Sequence, residues 1–256
     1  MKRVIKNFKT FHEDVEIDGS DIKFNYELKP KPKYINTRLG KTSKNIKFSP
    51  RITTLDNSRY KVFSAYSKKS SKETTEILKA IKKSSDYKYN LSDEEYLYFI
   101  KRTSIFFKKI LTNKNIDTIL ITESSSSLIS DVVYELIKRL PHSGIKIHTK
   151  GIYKNIENAY IDRPLKMSDS EFNQLKSSLE KSKETDNFEI KKQHAKYRKY
   201  FKNWMTIDEK LHKDIKNKNV VLFDDYITTG STLDTICDKI DELNPNDLKI
   251  MTILKG

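Results

Sequence analysis

The stretch Asn219 to Ile236, "NVVLFDDYITTGSTLDTI", most constrains what this chain can fold into. Val220 to Phe223 is an unbroken apolar run, not an alternation of apolar and polar residues. A strand of that kind is buried on both faces, as in a parallel sheet with helices above and below. The run stops on two adjacent carboxylates, Asp224 and Asp225, and four hydroxyl residues around Gly230 then lead into a helix starting near Leu233. In such sheets ligands sit beyond the carboxyl ends of the strands, which is where the two aspartates fall.

The rest of the C-terminal half repeats the alternation. Asp117 to Thr122 reads as strand, Leu128 to Leu140 as helix, Ile145 to Thr149 as strand, Leu233 to Leu243 as helix and Leu248 to Leu254 as a last strand. The expected fold class is α/β: a parallel-sheet core with helices on both faces, an α+β N-terminal region and a helical insert. Residues 1–90 form the basic N-terminal region and 91–256 the core, interrupted by the insert at about 153–218. The insert is far longer than an ordinary connection and carries helical signals of its own. Ser168 and Glu171 make a capping box ahead of Phe172, Leu175 and Leu179, and Tyr197, Tyr200, Phe201 and Trp204 recur at helical spacing. Another box, Ser92 with Glu95, opens a helix over Asp93 to Leu111, and Lys72 to Lys83 reads as a further helix. Arg59 to Ser67 reads as strand.

Lys23 to Lys47 holds eight basic residues against one acidic, with Pro30, Pro32 and Gly40 interrupting any helix, so it reads as irregular with a strand or two. Within it "LGKTS" imitates the end of a phosphate-binding loop. Ile35 stands where that loop needs its first glycine, which leaves Lys41 as surface.

The formal charge of +15 favours polyanions or phosphorylated small molecules as partners, and weak nucleic-acid binding through the basic surface is one expectation. The single cysteine, Cys237, can form no intramolecular disulfide and fits a reducing, cytoplasmic setting. No apolar run approaches a membrane span, and Met1 to Thr10 lacks the apolar segment of a signal peptide. The five histidines show no metal-ligand spacing. A homodimer stays open alongside a monomer.

Carboxylates at a strand end accept hydrogen bonds from neighbouring hydroxyls, so Asp224 and Asp225 suit a vicinal diol such as that of ribose. The helix start that follows leaves unpaired amide N–H groups carrying about half a positive charge, which bind a phosphate without a lysine. Gly230 permits the turn and the close approach of the anion. Thr228, Thr229, Ser231 and Thr232 add hydroxyl donors. Receptors for a diol and a phosphate thus lie a few residues apart, the span of a ribose 5-phosphate.

The order of apolar strand, acidic pair and Thr/Gly/Ser loop resembles the phosphoribosyl pyrophosphate (PRPP) signature of the type I phosphoribosyltransferases. The resemblance implies that Asp224 and Asp225, as the catalytic pair, hold the ribose hydroxyls, and that Ile227, Thr228, Thr229, Gly230, Ser231 and Thr232 hold the 5-phosphate. It implies Mg²⁺ carried by substrate oxygens, with no direct protein ligand beyond Asp224 and Asp225. It also implies a pyrophosphate loop after the first core strand, where this chain has Glu123, Ser124, Ser125, Ser126 and Ser127. Many members have glycine or a basic residue there. A mobile cover belongs in the insert, with Lys192, Lys196, Arg198 and Lys199 as its candidate cations. The substrates so implied are PRPP and a small nitrogenous, nucleobase-like acceptor, with pyrophosphate released and the cover over the acceptor coming from the N-terminal region, the insert or both. The alternative is a non-catalytic PRPP- or nucleotide-binding regulator of a protein or nucleic-acid partner.

Overall fold

In the computed structural model, Asn219–Ile227 is a single nine-residue strand that runs through both aspartates instead of stopping at Phe223. The structure describes residues 15–18, 21–24, 34–39, 42–47, 51–55, 60–67, 93–112, 114–123, 126–141, 144–185 and 188–255. The expected helix at Lys72 to Lys83, the capping serine Ser92 and Lys41 lie outside them.

Two hairpins come first: β1 (Val15–Asp18) with β2 (Asp21–Phe24), and β3 (Tyr34–Leu39) with β4 (Thr42–Lys47). The core sheet has six strands. They are β5 (Arg51–Thr54), β6 (Lys61–Ser67), β7 (Thr118–Ile121), β8 (Lys146–His148), β13 (Asn219–Ile227) and β14 (Asp247–Lys255), in the order β5-β6-β14-β13-β7-β8. All neighbours are parallel except β5 against β6. The sheet therefore draws two strands from before residue 91, reaching into the segment read as the basic N-terminal region. Between β8 and β13 lie β9 (Ile152–Lys154), β10 (Tyr160–Ile161), β11 (Phe201–Lys202) and β12 (Met205–Ile207), paired as β9 with β12 and β10 with β11.

The helices are α1 (Asp93–Leu111), α2 (Leu128–Ile137), α3 (Asp169–Thr185), α4 (His212–Ile215) and α5 (Ser231–Asp241). They explain why Val220 to Phe223 is apolar at every position. Val221 and Phe223 pack with Phe99, Phe107, Val132 and Leu136 of α1 and α2, whereas Val220 and Leu222 pack with Leu233, Ile236 and Ile240 of α5 and with Trp204 of the insert. Phe107 meets Phe223 edge to face at 5.2 Å, and Tyr66 stacks on Phe99 at 4.8 Å. Each such fully buried side chain contributes about 2–3 kcal/mol by transfer from water, so neither layer can be removed without exposing one face of β13.

The insert departs from its expected form in one respect. Ala195–Tyr200 is a 3-10 helix, and Phe201 leaves it in extended conformation to pair with Ile161. Tyr197, Tyr200, Phe201 and Trp204 are thus not one face of an α-helix. Phe201 and Trp204 are core residues packed at an angle against Phe188, while Tyr197 and Tyr200 are half-buried on the turn before them. Three residues per turn place positions i and i+3 in line. Tyr197 and Tyr200 therefore share one edge, and Lys196 and Lys199 share the next.

Candidate active site

The register of β13 builds the site. Against β14 its pairing continues through Asp224↔Thr252 and Tyr226↔Leu254 to Ile227↔Lys255. Against β7 it ends at Phe223↔Ile121. Asp224 is thus still held in the ladder on the β14 side, one residue beyond the last pair with β7. Thr122, the first residue beyond β7, bridges the step: its N–H donates to the Phe223 carbonyl at 3.0 Å and its hydroxyl to Asp224 Oδ1 at 2.7 Å. The Asp225 N–H donates to the same oxygen at 2.9 Å. Both aspartates are half-buried. Two hydrogen bonds fix the Asp224 carboxylate as a hard, oriented acceptor.

The chain then turns sharply. Gly230 has φ +79°, the left-handed region, and caps α5. A Cβ there would lie 2.8 Å from Leu55 Cδ2, so Leu55, the residue after β5, walls the turn from the side. The first intrahelical bond runs from the Asp234 N–H to the Gly230 carbonyl at 2.8 Å, which leaves the first-turn amides of α5 directed out of the helix start. Thr229 Oγ1 and Ser231 Oγ lie 3.0 Å apart. Thr228 is exposed, Thr232 half-buried, and Ile227 and Ser231 are buried. Ile227 anchors the turn to the core, and Thr229 lines a cavity beside it.

Of the serine loop, Glu123 is exposed, Ser126 and Ser127 are half-buried, and Ser124 and Ser125 lie outside the described residues. The Ser127 hydroxyl donates to Asp131 Oδ2 at 3.1 Å, and Asp131 also accepts from the Tyr96 hydroxyl at 2.6 Å. Ser127 thus bonds to its own helix α2, and Tyr96 of α1 anchors that helix start. Burial pushes the Tyr96 phenol well above its ordinary range, which keeps it a donor.

The four insert cations separate. Lys192 pairs with Glu189 at 2.8 Å, and Arg198 Nε donates to the Gln193 carbonyl at 2.9 Å, so both serve the local turn. Lys196 and Lys199 instead line a cavity of about 420 Å³ that also contains Thr229 of the loop. Tyr197, Tyr200, Met167 and Lys166 line it as well. The capping box forms as expected, with the Glu171 N–H donating to Ser168 Oγ at 3.2 Å and the Ser168 N–H to Glu171 at 3.3 Å. Glu171 takes two further donors, Tyr197 at 2.5 Å and Lys196 at 3.3 Å. The Tyr197 hydroxyl, first among these donors, draws the Glu171 carboxyl down to about 2.

Sequence reasoning gave Thr122 no part in holding Asp224 and missed Leu55 and Lys166. Thr122 was detectable in principle, being the residue after one parallel strand at the level where its neighbour carries Asp224. Nothing local marks Leu55 or Lys166. Among the described residues no helix is long and apolar enough to cross a membrane, and no group of three or more His, Cys, Asp or Glu is placed to hold a metal ion.

No curated protein matches the sequence. Similar solved structures include a hypoxanthine phosphoribosyltransferase from Staphylococcus aureus, 17% identical with a TM-score of 0.33 and covering 62% of each chain. An adenine phosphoribosyltransferase from Leishmania tarentolae is 14% identical with a TM-score of 0.33, covering 66% of this chain and 77% of that one. The allosteric regulatory enzyme of purine biosynthesis is 15% identical with a TM-score of 0.37, covering 68% of this chain and 29% of that one. The aligned part thus spans 62% of the length of the Staphylococcus protein. The family model described as "Phosphoribosyl transferase domain" matches residues 105–256, from within α1 onward. Because that match takes in more than half of the 256 residues, including β7, β13 and the start of α5, the chain belongs to the phosphoribosyl transferase domain family.

Proposed function

We propose that the protein transfers a phosphoribosyl group from PRPP, in the presence of Mg²⁺, to a nitrogenous acceptor and releases pyrophosphate. The observation that carries this reading is the placement of the acidic pair and the Thr228–Thr232 turn on one continuous strand and helix, at the point where β7 stops and β13 goes on. The Asp224 and Asp225 carboxylates accept the ribose hydroxyls, with Asp224 held in place by Thr122 and the Asp225 amide. The α5 start and its hydroxyls hold the 5-phosphate, which fixes both ends of the sugar and sets its anomeric carbon. The acceptor nitrogen's lone pair forms the new bond to that carbon as the bond to the diphosphate oxygen breaks. The electron pair leaves with pyrophosphate, and the proton lost by the nitrogen passes to water.

Two half-exposed carboxylates are hard oxygen donors of the kind Mg²⁺ takes alongside water and substrate oxygens. Asp224 and Asp225 are the residues that would contact it, and when bound it would neutralise charge on the leaving diphosphate. The Glu123–Ser127 segment would face that diphosphate with the backbone amides of its helix start, since the Ser127 hydroxyl is turned to Asp131. The cover over the acceptor would come from the N-terminal region, the insert or both.

Calorimetric titration with PRPP and Mg²⁺ tests the reading. The wild-type protein should bind, and the double variant Asp224→Asn, Asp225→Asn should lose at least about tenfold in affinity, since each charged acceptor of a hydrogen bond is worth about 1.5–3 kcal/mol. Equal affinities would overturn the assignment.

A further inference from the structure

The cavity beside Thr229 carries a charge pattern that the transfer reading does not by itself require. Its one lining carboxylate, Glu171, already accepts four hydrogen bonds, from the Ser168 amide, the Ser168 hydroxyl, Tyr197 and Lys196. That fills the capacity of a carboxylate, so Glu171 has no lone pair left for a ligand N–H. The cations are differently placed. Lys199 touches only the face of Tyr200, at 5.2 Å, and among the described residues no carboxylate lies within ion-pair reach of Lys199 or Lys166. The 3-10 turn puts Lys199 on the same edge as Lys196, and the α5 start adds its positive end across the cavity at Thr229.

A neutral base recognised through its own N–H groups would find hydroxyl acceptors here but no open carboxylate. An anion would find two unpaired ammonium groups and two phenol rings to lie against. The volume of about 420 Å³ takes a single heteroaromatic ring with a substituent.

Resting on the transfer reading, we propose that this cavity receives the acceptor and selects one bearing an anionic group, with Lys166 and Lys199 as the specificity-determining residues. Lys196 is held by Glu171 and stiffens the wall. Tyr197 and Tyr200 flank the acceptor ring.

The test is calorimetry on the PRPP–Mg²⁺ complex with ring acceptors that differ in one anionic group: nicotinate against nicotinamide, orotate against uracil, and 4-aminophenyl phosphate against 4-aminophenol. The charged member of at least one pair should bind roughly tenfold tighter, and the third pair separates a phosphate from a carboxylate as the group recognised. In Lys166→Ala and Lys199→Gln, affinity for that charged acceptor should fall roughly fivefold more than affinity for PRPP does, the size of a half-exposed ion pair. No preference for charge in any pair, or variants that weaken PRPP instead of the acceptor, would overturn the proposal. If PRPP itself fails to bind, the transfer reading falls, and the same acceptor pairs titrated onto the free protein still decide the cavity's charge preference.

Discussion

The Thr122 hydroxyl donates to Asp224 Oδ1 at 2.7 Å, joining the end of β7 to the carboxylate that β13 carries beyond it. Thr122 is buried and adds no group that could meet a ligand ahead of the aspartates. Its effect on binding must pass through the orientation of Asp224. Thr122→Val keeps the shape and removes the donor, and a hydrogen bond to a charged acceptor is worth about 1.5–3 kcal/mol. PRPP affinity should fall about tenfold, while Thr122→Ser should retain most of it. Titration of both variants decides the matter, and a Thr122→Val protein that binds like wild type would remove Thr122 from the site.

Gly230 and Leu55 form a second pair, and here the coupling is steric. Alanine at 230 meets two separate penalties: the left-handed φ of +79° and a methyl 2.8 Å from Leu55 Cδ2. The first costs about 1 kcal/mol for a non-glycine residue, and the overlap adds about 1–3 kcal/mol. Gly230→Ala should therefore unfold at lower urea concentration, by about 2–4 kcal/mol in total. Leu55→Ala alone should be destabilising through its lost burial, but the double variant should cost less than the two singles summed. Strict additivity would show that the turn does not rest on Leu55.

Much of this arrangement was legible in the residues. The unbroken apolar run specified a two-sided strand, and the structure shows Val221 and Phe223 facing one helical layer with Val220 and Leu222 facing the other. The capping box at Ser168 and Glu171 formed as its spacing demands. Long-range choices were not legible. That β6 would lie parallel to β14, and so belong to the core, depends on pairing Val62 with Ile250 across most of the chain, which no local pattern encodes. Helical spacing of aromatics also misled: Phe201 is drawn out of the 3-10 turn by a ladder to Ile161, a contact forty residues away that outweighs local propensity.

Glu171 gives the insert a pH signature. Its carboxyl lies at about 2, below the ordinary 4.5, because Tyr197, Ser168 and Lys196 donate to its ionised form. A carboxyl depressed on folding contributes stability that is complete above about 4.5 and is lost as the pH falls toward 2. Trp204, the sole tryptophan, is buried within the insert and reports on its packing. Its fluorescence should change across that acid window in the wild type. In Glu171→Gln the component belonging to this group should vanish, and in Tyr197→Phe it should move to higher pH. A Glu171→Gln profile that overlays the wild type would show that the four donors have no hold on the insert.

Cys237 offers an independent view of α5. It is the sole cysteine and lies 1% exposed on α5, the helix that begins at the Gly230 turn. Burial pushes its thiol well above the ordinary range, and the nearby Asp234 carboxylate pushes in the same direction. Only the thiolate attacks a disulfide reagent, so the folded protein at pH 8 should react very slowly, through openings that expose the helix. A ligand held by the α5 start stabilises the closed form by the factor 1 + [L]/Kd, so PRPP with Mg²⁺ at a hundred times its Kd should slow labelling by up to about a hundredfold. The Asp224→Asn, Asp225→Asn double variant should lose that protection in proportion to its lost affinity, without losing the slow basal rate. Complete labelling of the native protein within seconds would mean that α5 does not pack as described. Slow labelling that PRPP leaves untouched would mean that the helix start does not hold the sugar phosphate.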